Sequence, residues 1–599
     1  MITETLSPRE AVSHITPVIW ARVNRLHLCK VISEFAHENI IIPEKQYENE
    51  GWGHYVLHAF SFNVQYRFRA KIGSLNHWYI DRDSLEKYTE GKPDRLDSLR
   101  FVVEFREAMG IDEQSLPVYM EEVSSTLCGS AYMHMQSTVR SGDLIHAGYQ
   151  EIERAMTGHP RFIANNGRIG FDTADYRDYA PEAASAFSLI WVAGHRERTV
   201  FTSIEPLTYQ QLLLQELGEE LLGLFRGLLT KKGLDPDEYI FIQVHPWQWY
   251  NKLAIVFASD IAAGRLVYLG PGKDEYLPQQ SIRTFFNVSN PDKFYVKTAL
   301  SILNMGYVRG LSPGFMQTNP PVSKWVEELV EGDSYLRETG FCVLREIAGA
   351  GYTNMNCERS TRENSPYKKM LSCLWRESPL PKMKKGQRLM TMAALLHTDT
   401  EGAAFLPELI RASGLDTDPW IRQYLHCYMS PLLHCFYRYD LVFMPHGENL
   451  ILVMEDHVPV RAIMKDLGEE VSVMNKGAGL PEEIRRIAVE VSDGERVRPI
   501  FTQLFDSIFR FIAAILHEHA GYPEERFWEL IAECIHNYGL AHPQLEEKIR
   551  KYDLFVPEIS PDALNRLQLR NNRQLRNRAT PFNVKYIENV ANPVARFEK

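Results

Sequence analysis

Between Phe443 and Asp466 the sequence FMPHGENLILVMEDHVPVRAIMKD sets a histidine, a carboxylate and an amide, His446, Glu448 and Asn449, within four positions. It then runs through two apolar stretches to Asp466. LILVM and VPVRAIM read as two strands joined by a turn at Glu455-Asp456-His457. Paired as a hairpin, they bring the His446 loop close to Asp466. Glu448, Asp466 and Asn449 then form an oxygen-rich set suited to a magnesium ion bound with phosphates. The same residues also fit an Asx-type turn in which His446 and Asn449 bond only local backbone.

A second set lies upstream in SIRTFFNVSNPDKFYVKTALSILNMGYVRG, which spaces Ser281, Arg283, Thr284, Lys297 and Arg309 along two strand-like runs and a connecting turn. Three cations with two hydroxyls are what a polyphosphate needs: arginine gives bidentate hydrogen bonds, lysine a point charge, and hydroxyls neutral donors. A solvated, charged strand face would look the same, and SxRT alone is a weak signal. From Thr157 the texture becomes TGHPRFIANNGRIGFDTADYRDYAPEAA, where Gly, Asn, Pro and Asp break every period. An irregular stretch this long in a compact protein is usually functional. Tyr239 to His245 reads as a buried strand that opens into a helix at Pro246, leaving His245 either packed against tryptophans or lining a site.

The elements that must hold these residues are mixed. Helical patterns over Trp20 to Phe35 and Leu96 to Met109 flank an aromatic strand-like run, HYVLHAFSFNVQYRFRA, and an amphipathic helix spans Leu207 to Lys232. LREIAGAGYTNMN matches neither a Walker loop nor a dinucleotide fingerprint and reads as a turn. Lys368 to Gln387 reads as a basic surface loop. The His-Cys pairs at His426-Cys427 and His434-Cys435 sit on a helical pattern that Pro431 interrupts, which together with how common core Cys and His are argues against a zinc site. The chain ends in a basic stretch, LNRLQLRNNRQLRNR.

At 599 residues the chain exceeds one core, so two or three domains are expected. A net charge of −11 leaves no basic excess to neutralise nucleic-acid phosphates, which points to a small-molecule partner. Eight cysteines without a CxxC pair argue against a zinc ribbon or a disulfide framework and fit a reducing cytoplasm. No export signal and no run of about 18 apolar residues is read, so no membrane role is expected.

Taken together, GHPRFIANNGRIGF, HPWQW, SxRT with Lys297 and Arg309, and HGEN followed by Asp466 resemble the IucA/IucC family, the NRPS-independent siderophore synthetases. The resemblance covers roughly residues 115 to 595 and implies an α+β, multi-domain fold likened to a hand, with thumb, fingers and palm around a central ATP cleft. On this chain that means a thumb-like domain over 1–155, a fingers-like phosphate-binding domain over 156–340 and a palm-like domain over 341–599. It implies activation of a carboxylate by ATP with Mg²⁺ as an acyl adenylate, release of pyrophosphate, and capture by an amine. Ser281, Arg283, Thr284 and Lys297 match positions that hold the phosphates. Arg309 and His446 match positions at the reacting carboxylate and α-phosphate, His159 matches the GHP histidine, and Asn449, Glu448 and Asp466 match the metal and nucleotide end.

The sequence departs from the citrate-using branch. Asn165, Asn166 and Gly167 precede Arg168 where that branch has an aromatic, Lys and Ser, and HGEN carries glutamate in place of glutamine. Both departures resemble the branch of desferrioxamine, bisucaberin, putrebactin and alcaligin synthetases. That implies an N-hydroxy-N-succinyl diamine substrate, placed by Asn165, Asn166, Arg168 and Arg309, which is joined to itself and closed into a hydroxamate ring. A cytoplasmic homodimer is expected. HGEN with a later aspartate also resembles small-molecule kinases, although no glycine-rich lid with a strand lysine is present.

Overall fold

Alternating and continuous apolar runs between Phe187 and Arg376 build an eight-stranded sheet. Its order is Thr199–Ser203, Glu346–Tyr352, Ser372–Arg376, Tyr295–Thr298, Thr284–Asn287, Leu266–Pro278, Phe187–His195 and Tyr239–Val244, every neighbour antiparallel. The structure, a computed structural model, describes residues 6–136, 139–571 and 588–598. The basic stretch beyond Asn571 therefore lies outside the described residues.

Thr208 caps the helix Tyr209–Lys231, whose Leu212, Leu213, Leu217, Leu222, Phe225 and Leu229 pack into the core of this sheet. Each such side chain contributes roughly 1.5–3 kcal/mol on burial. Against the other end of the sheet lies the helix Pro313–Gly332. It runs so close to Glu346–Tyr352 that a Cβ on Gly349 would meet Met316 O at 2.8 Å, and one on Gly351 would meet Pro313 Cα at 2.6 Å. IAGAGY is thus a fully buried strand, not the turn its composition suggested. Its small residues answer to a neighbouring helix rather than to a bend. Likewise the expected surface loop Lys368 to Gln387 contains the fully buried strand Ser372–Arg376.

Two further layers flank the central sheet. The N-terminal helix Pro17–His37 packs on a sheet containing Trp52–Ala59 and Val64–Gly73. Toward the C-terminus a four-stranded sheet orders Cys342–Val343, Val458–Met464, Leu450–Glu455 and Arg388–Thr391. Its central hairpin turns through Asp456 and His457 at φ 46° and 66°, the left-handed pair of a tight hairpin turn. The helix Thr417–Tyr439 covers it and continues through Pro431, since burial within the core holds the turns on either side. His434 of this helix bonds Asp333 at 3.0 Å while His426 is exposed, so the two His-Cys pairs share no site. Among the described residues one helical run, Asp493–Ala520, with mean hydropathy 1.4, is long and apolar enough to cross a membrane, but 72% of its most apolar window is buried in the core.

Candidate functional site

Register brings the phosphate-type residues together. Thr284 pairs directly with Lys297, and Tyr295, two residues from Lys297, pairs with Arg376, which itself pairs with Glu346. With a side-chain period of two, Thr284, Lys297, Arg376 and Glu346 project from one face of the sheet. Ile282 between Ser281 and Arg283 has φ 58°, a costly conformation for a β-branched residue. The resulting bend lets Ser281 Oγ donate to Thr284 Oγ1 at 2.8 Å.

Asp466, also left-handed at φ 62°, enters this cluster from the end of the hairpin. Its Oδ1 lies 2.7 Å from Arg376 and 3.5 Å from Lys297 Nζ. Glu469 accepts from Lys297 and from Arg283, each at 3.3 Å. Burial works against the Asp466 carboxylate, but Lys297, Arg376, Lys465 and Arg283 outweigh it and hold it far below the usual carboxylate range. Burial also works against the Lys297 ammonium, and Asp466 and Glu469 raise it above the ordinary lysine value. Glu346 differs. Neither of its carboxyl oxygens has a hydrogen-bond partner among the described residues, and burial pushes it up to about 7. Gly468 passes so close that a Cβ there would stand 2.2 Å from Glu346 Oε2.

A cavity of about 270 Å³ adjoins the cluster, lined by His159, His446, Glu448, Gln280, Asn165 and Asn166 among others. Gln280, which lines the cavity, is the residue before Ser281, and its side chain is held by donating to Glu153 O at 3.0 Å. His159 and His446 face each other with ring centres 5.9 Å apart. Arg161 N donates to His159 Nδ1 at 3.2 Å, which places the proton of the neutral ring on Nε2. Burial, then the nearby His446, Arg161, Lys30 and Arg309, hold the His159 pKa well below the ordinary imidazole value. Arg309 Nε donates to Asn304 Oδ1 at 3.1 Å, and Asn304 lines the cavity.

The sequence-predicted residues therefore fall into two adjoining groups, Ser281, Arg283, Thr284, Lys297 and Asp466 in the cluster, His159, His446 and Glu448 at the cavity, with Arg309 at its margin. Asn449 is buried, donating to Met444 O at 3.1 Å and to Glu470. Asp466 and Glu448 thus stand in different surroundings, and among the described residues no group of three or more His, Cys, Asp or Glu is arranged to hold a metal. Asn165 and Asn166 line the cavity, whereas Arg168 is drawn away to Glu182 at 2.7 and 2.8 Å and to Asn166 at 2.7 Å. His245 is wholly buried among aromatic rings and caps the following turn by accepting from Trp247 N at 3.0 Å.

Comparison with known proteins decides the kinship. The IucA / IucC family model matches residues 148–397, and that of the ferric iron reductase FhuF-like transporters matches residues 418–577. Putrebactin synthase of Shewanella sp. (strain MR-4) is 46% identical over 98% of this chain and 93% of its own length. The rhizobactin siderophore biosynthesis protein RhbF of Rhizobium meliloti (strain 1021) is 32% identical over 92% of each. The chain belongs to the IucA/IucC family. The solved aerobactin synthetase IucC of a hypervirulent Klebsiella pneumoniae, 27% identical, superposes with a TM-score of 0.84 over 97% of this chain and 99% of that one. The fold of an NRPS-independent siderophore synthetase is therefore shared across nearly the whole molecule.

Within this family member, three site residues were missed in the sequence. Arg376 was hidden in a segment taken for a loop, although LSCLWR carries a buried-strand pattern. Glu346 stood in the supposed glycine turn. Glu469 follows Asp466 in DLGEE, a doubled acid at a helix start that marks a functional end only once Lys297 is known to face it.

Proposed function

We propose that this protein is an ATP-dependent siderophore synthetase that activates the carboxylate of an N-hydroxy-N-succinyl diamine as an acyl adenylate and couples it to an amine. Repetition would give a hydroxamate oligomer that closes to a ring. The observation that carries this reading is the convergence of Lys297, Arg283 and Arg376 with the Ser281 and Thr284 hydroxyls on one sheet face beside the His159–His446 cavity. Those cations are now neutralised by Asp466 and Glu469, so the cluster carries both partners that a metal–triphosphate demands. The cations fit phosphate oxygens, and Asp466 and Glu469, which meet on Lys297, would hold magnesium beside them without Glu448 or Asn449; the ion, when bound, would neutralise phosphate charge. Buried nitrogens without partners among the described residues, Arg283 Nε and Arg376 Nε, add unmet donors. In this reading Arg309 and His446 would stabilise the charge that grows at the α-phosphate, and His159, neutral with Nε2–H, would offer a donor without repelling a cationic neighbour.

In this reading the three layers act as thumb, fingers and palm around the cleft, and the protein works as a cytoplasmic homodimer. The 46% identity to putrebactin synthase and the uncharged Asn165-Asn166 wall support the half-amide substrate over citrate. The test is the phosphate product. ATP, Mg²⁺ and N-hydroxy-N-succinyl-cadaverine or its putrescine counterpart should release pyrophosphate and AMP. Release of ADP and orthophosphate instead would overturn the reading in favour of phosphoryl transfer.

A further inference from the structure

The reaction cavity is not closed on its N-terminal side. It opens through Lys30, Thr157, Asn165 and His397, which line it and also line a second chamber of about 830 Å³. The chamber lies between the helices Pro17–His37, Leu116–Gln136 and Tyr149–Ala155. Cavities holding sizeable organic ligands span roughly 300–1,000 Å³, so the 270 Å³ cavity is too small for an acyl donor and a chain-length acceptor together, while the chamber is ample.

Two histidines lining the chamber, His397 and His134, have a buried ring nitrogen without a partner among the described residues. His397, 8% exposed, has its buried Nδ1 unpaired among the described residues, and burial holds it down to about 4, so the ring is neutral and can turn a lone pair to an N–H or O–H of a ligand. Deeper in, His134 donates Nδ1–H to Ser130 O at 2.9 Å, which leaves its buried Nε2 an unpaired acceptor. Four carboxylates and three cations line the chamber, so no excess of positive charge favours a polyanion. A ligand that brings N–H and N–OH donors on an alkyl chain meets all three conditions.

Resting on the adenylation reading above, we propose that this chamber binds the amine-bearing acceptor, an N-acylated N-hydroxy alkyldiamine or its oligomer. The acceptor's amine passes through the throat at Lys30, Asn165 and His397 to reach the activated carboxyl, with His397 accepting a hydrogen bond from it. The growing chain then lies in the chamber and not in the nucleotide cleft.

The methyl ester of N-hydroxy-N-succinyl-cadaverine is the probe, because it has an amine but no carboxylate to activate. Calorimetric titration of the nucleotide-free protein should show one ester bound per chain. Ser130→Trp, which fills the chamber away from the cation cluster, should weaken that binding at least tenfold, and Thr400→Trp serves if the first variant melts early. Ester binding that is absent in the unaltered protein, or unchanged in a folded tryptophan variant, overturns the proposal. Loss of ester binding in the variant while the unaltered protein releases no pyrophosphate would instead uphold the chamber and sink the adenylation reading.

Discussion

Arg309 is the residue on which the proposed chemistry turns. Its guanidinium is steadied by Asn304 at the edge of the histidine cavity, and its charge helps to keep His159 neutral. Arg309→Ala is expected to lower pyrophosphate release by ~100-fold, the scale of removing one transition-state donor, with the melting temperature nearly unchanged. A folded variant releasing pyrophosphate at the parent rate would place Arg309 outside the reacting centre. At this scale the sequence was informative where residues fall in short motifs: HGEN and GHP line one cavity, and SxRT joins the cation cluster. It was blind to pairings across the fold. Arg168, chosen for its place beside Asn166, is held by Glu182, sixteen residues from Asn166 in sequence and 3.3 Å from its amide. Nothing in the motif indicates that partner.

Among elements, the two helices against the central sheet make separate predictions. On Tyr209–Lys231, Glu216 is buried, its carboxyl oxygens lack partners among the described residues, and burial pushes it up to about 8 against the pull of Lys293. An acid raised in the folded state holds a proton that the unfolded chain releases from about pH 4.5, so it costs stability increasingly as pH rises from there to about 8. Glu216→Gln should therefore stabilise the protein, by ~2 kcal/mol more at pH 7 than at pH 5, read by denaturant melts. Equal gains at both values would contradict the burial argument. Against Pro313–Gly332, Gly349→Val should cost about 1–3 kcal/mol by overpacking and lower the melting temperature, since backbone and not a movable side chain opposes the new atoms. An unchanged melting temperature would show that the helix can give way. The hairpin at Leu450–Met464 was legible because its apolar period and turn agree. The strand at Glu346–Tyr352 was not, because glycine and alanine read locally as a turn and only the helix packed on them makes them a strand.

Across the whole molecule, the N-terminal layer is tied to the C-terminal one by a buried ionic network beneath the cavity. Asp506 meets His37 at 3.1 Å, Arg161 at 2.9 Å and Arg510 at 2.9 Å, and Arg510 also meets Glu34 at 2.7 Å. Arg510→Met leaves Glu34 with a buried, uncompensated charge and takes one of three partners from Asp506, and should destabilise the fold by about 3–5 kcal/mol, measured by denaturant melts. A loss under about 1 kcal/mol would mean that water or movement relieves those charges. Composition had bounded the molecule as multi-layered and acidic, but which layers meet, and through which charges, depends on contacts hundreds of residues apart. The account as a whole rests on the substrate that this assembly joins. With Asn165 and Asn166 in the wall, Lys30 is the one lysine or arginine among the described residues lining the cavity, too little positive charge for a tricarboxylate, whereas a half-amide has one carboxylate to place. The decisive measurement is mass spectrometry of the products formed from ATP and Mg²⁺ with N-hydroxy-N-succinyl-cadaverine or its putrescine counterpart, beside citrate with the free diamine. The expected result is head-to-tail amide oligomers and rings from the half-amide, with citrate inert. Citrate amides, with no oligomer from the half-amide, would contradict it.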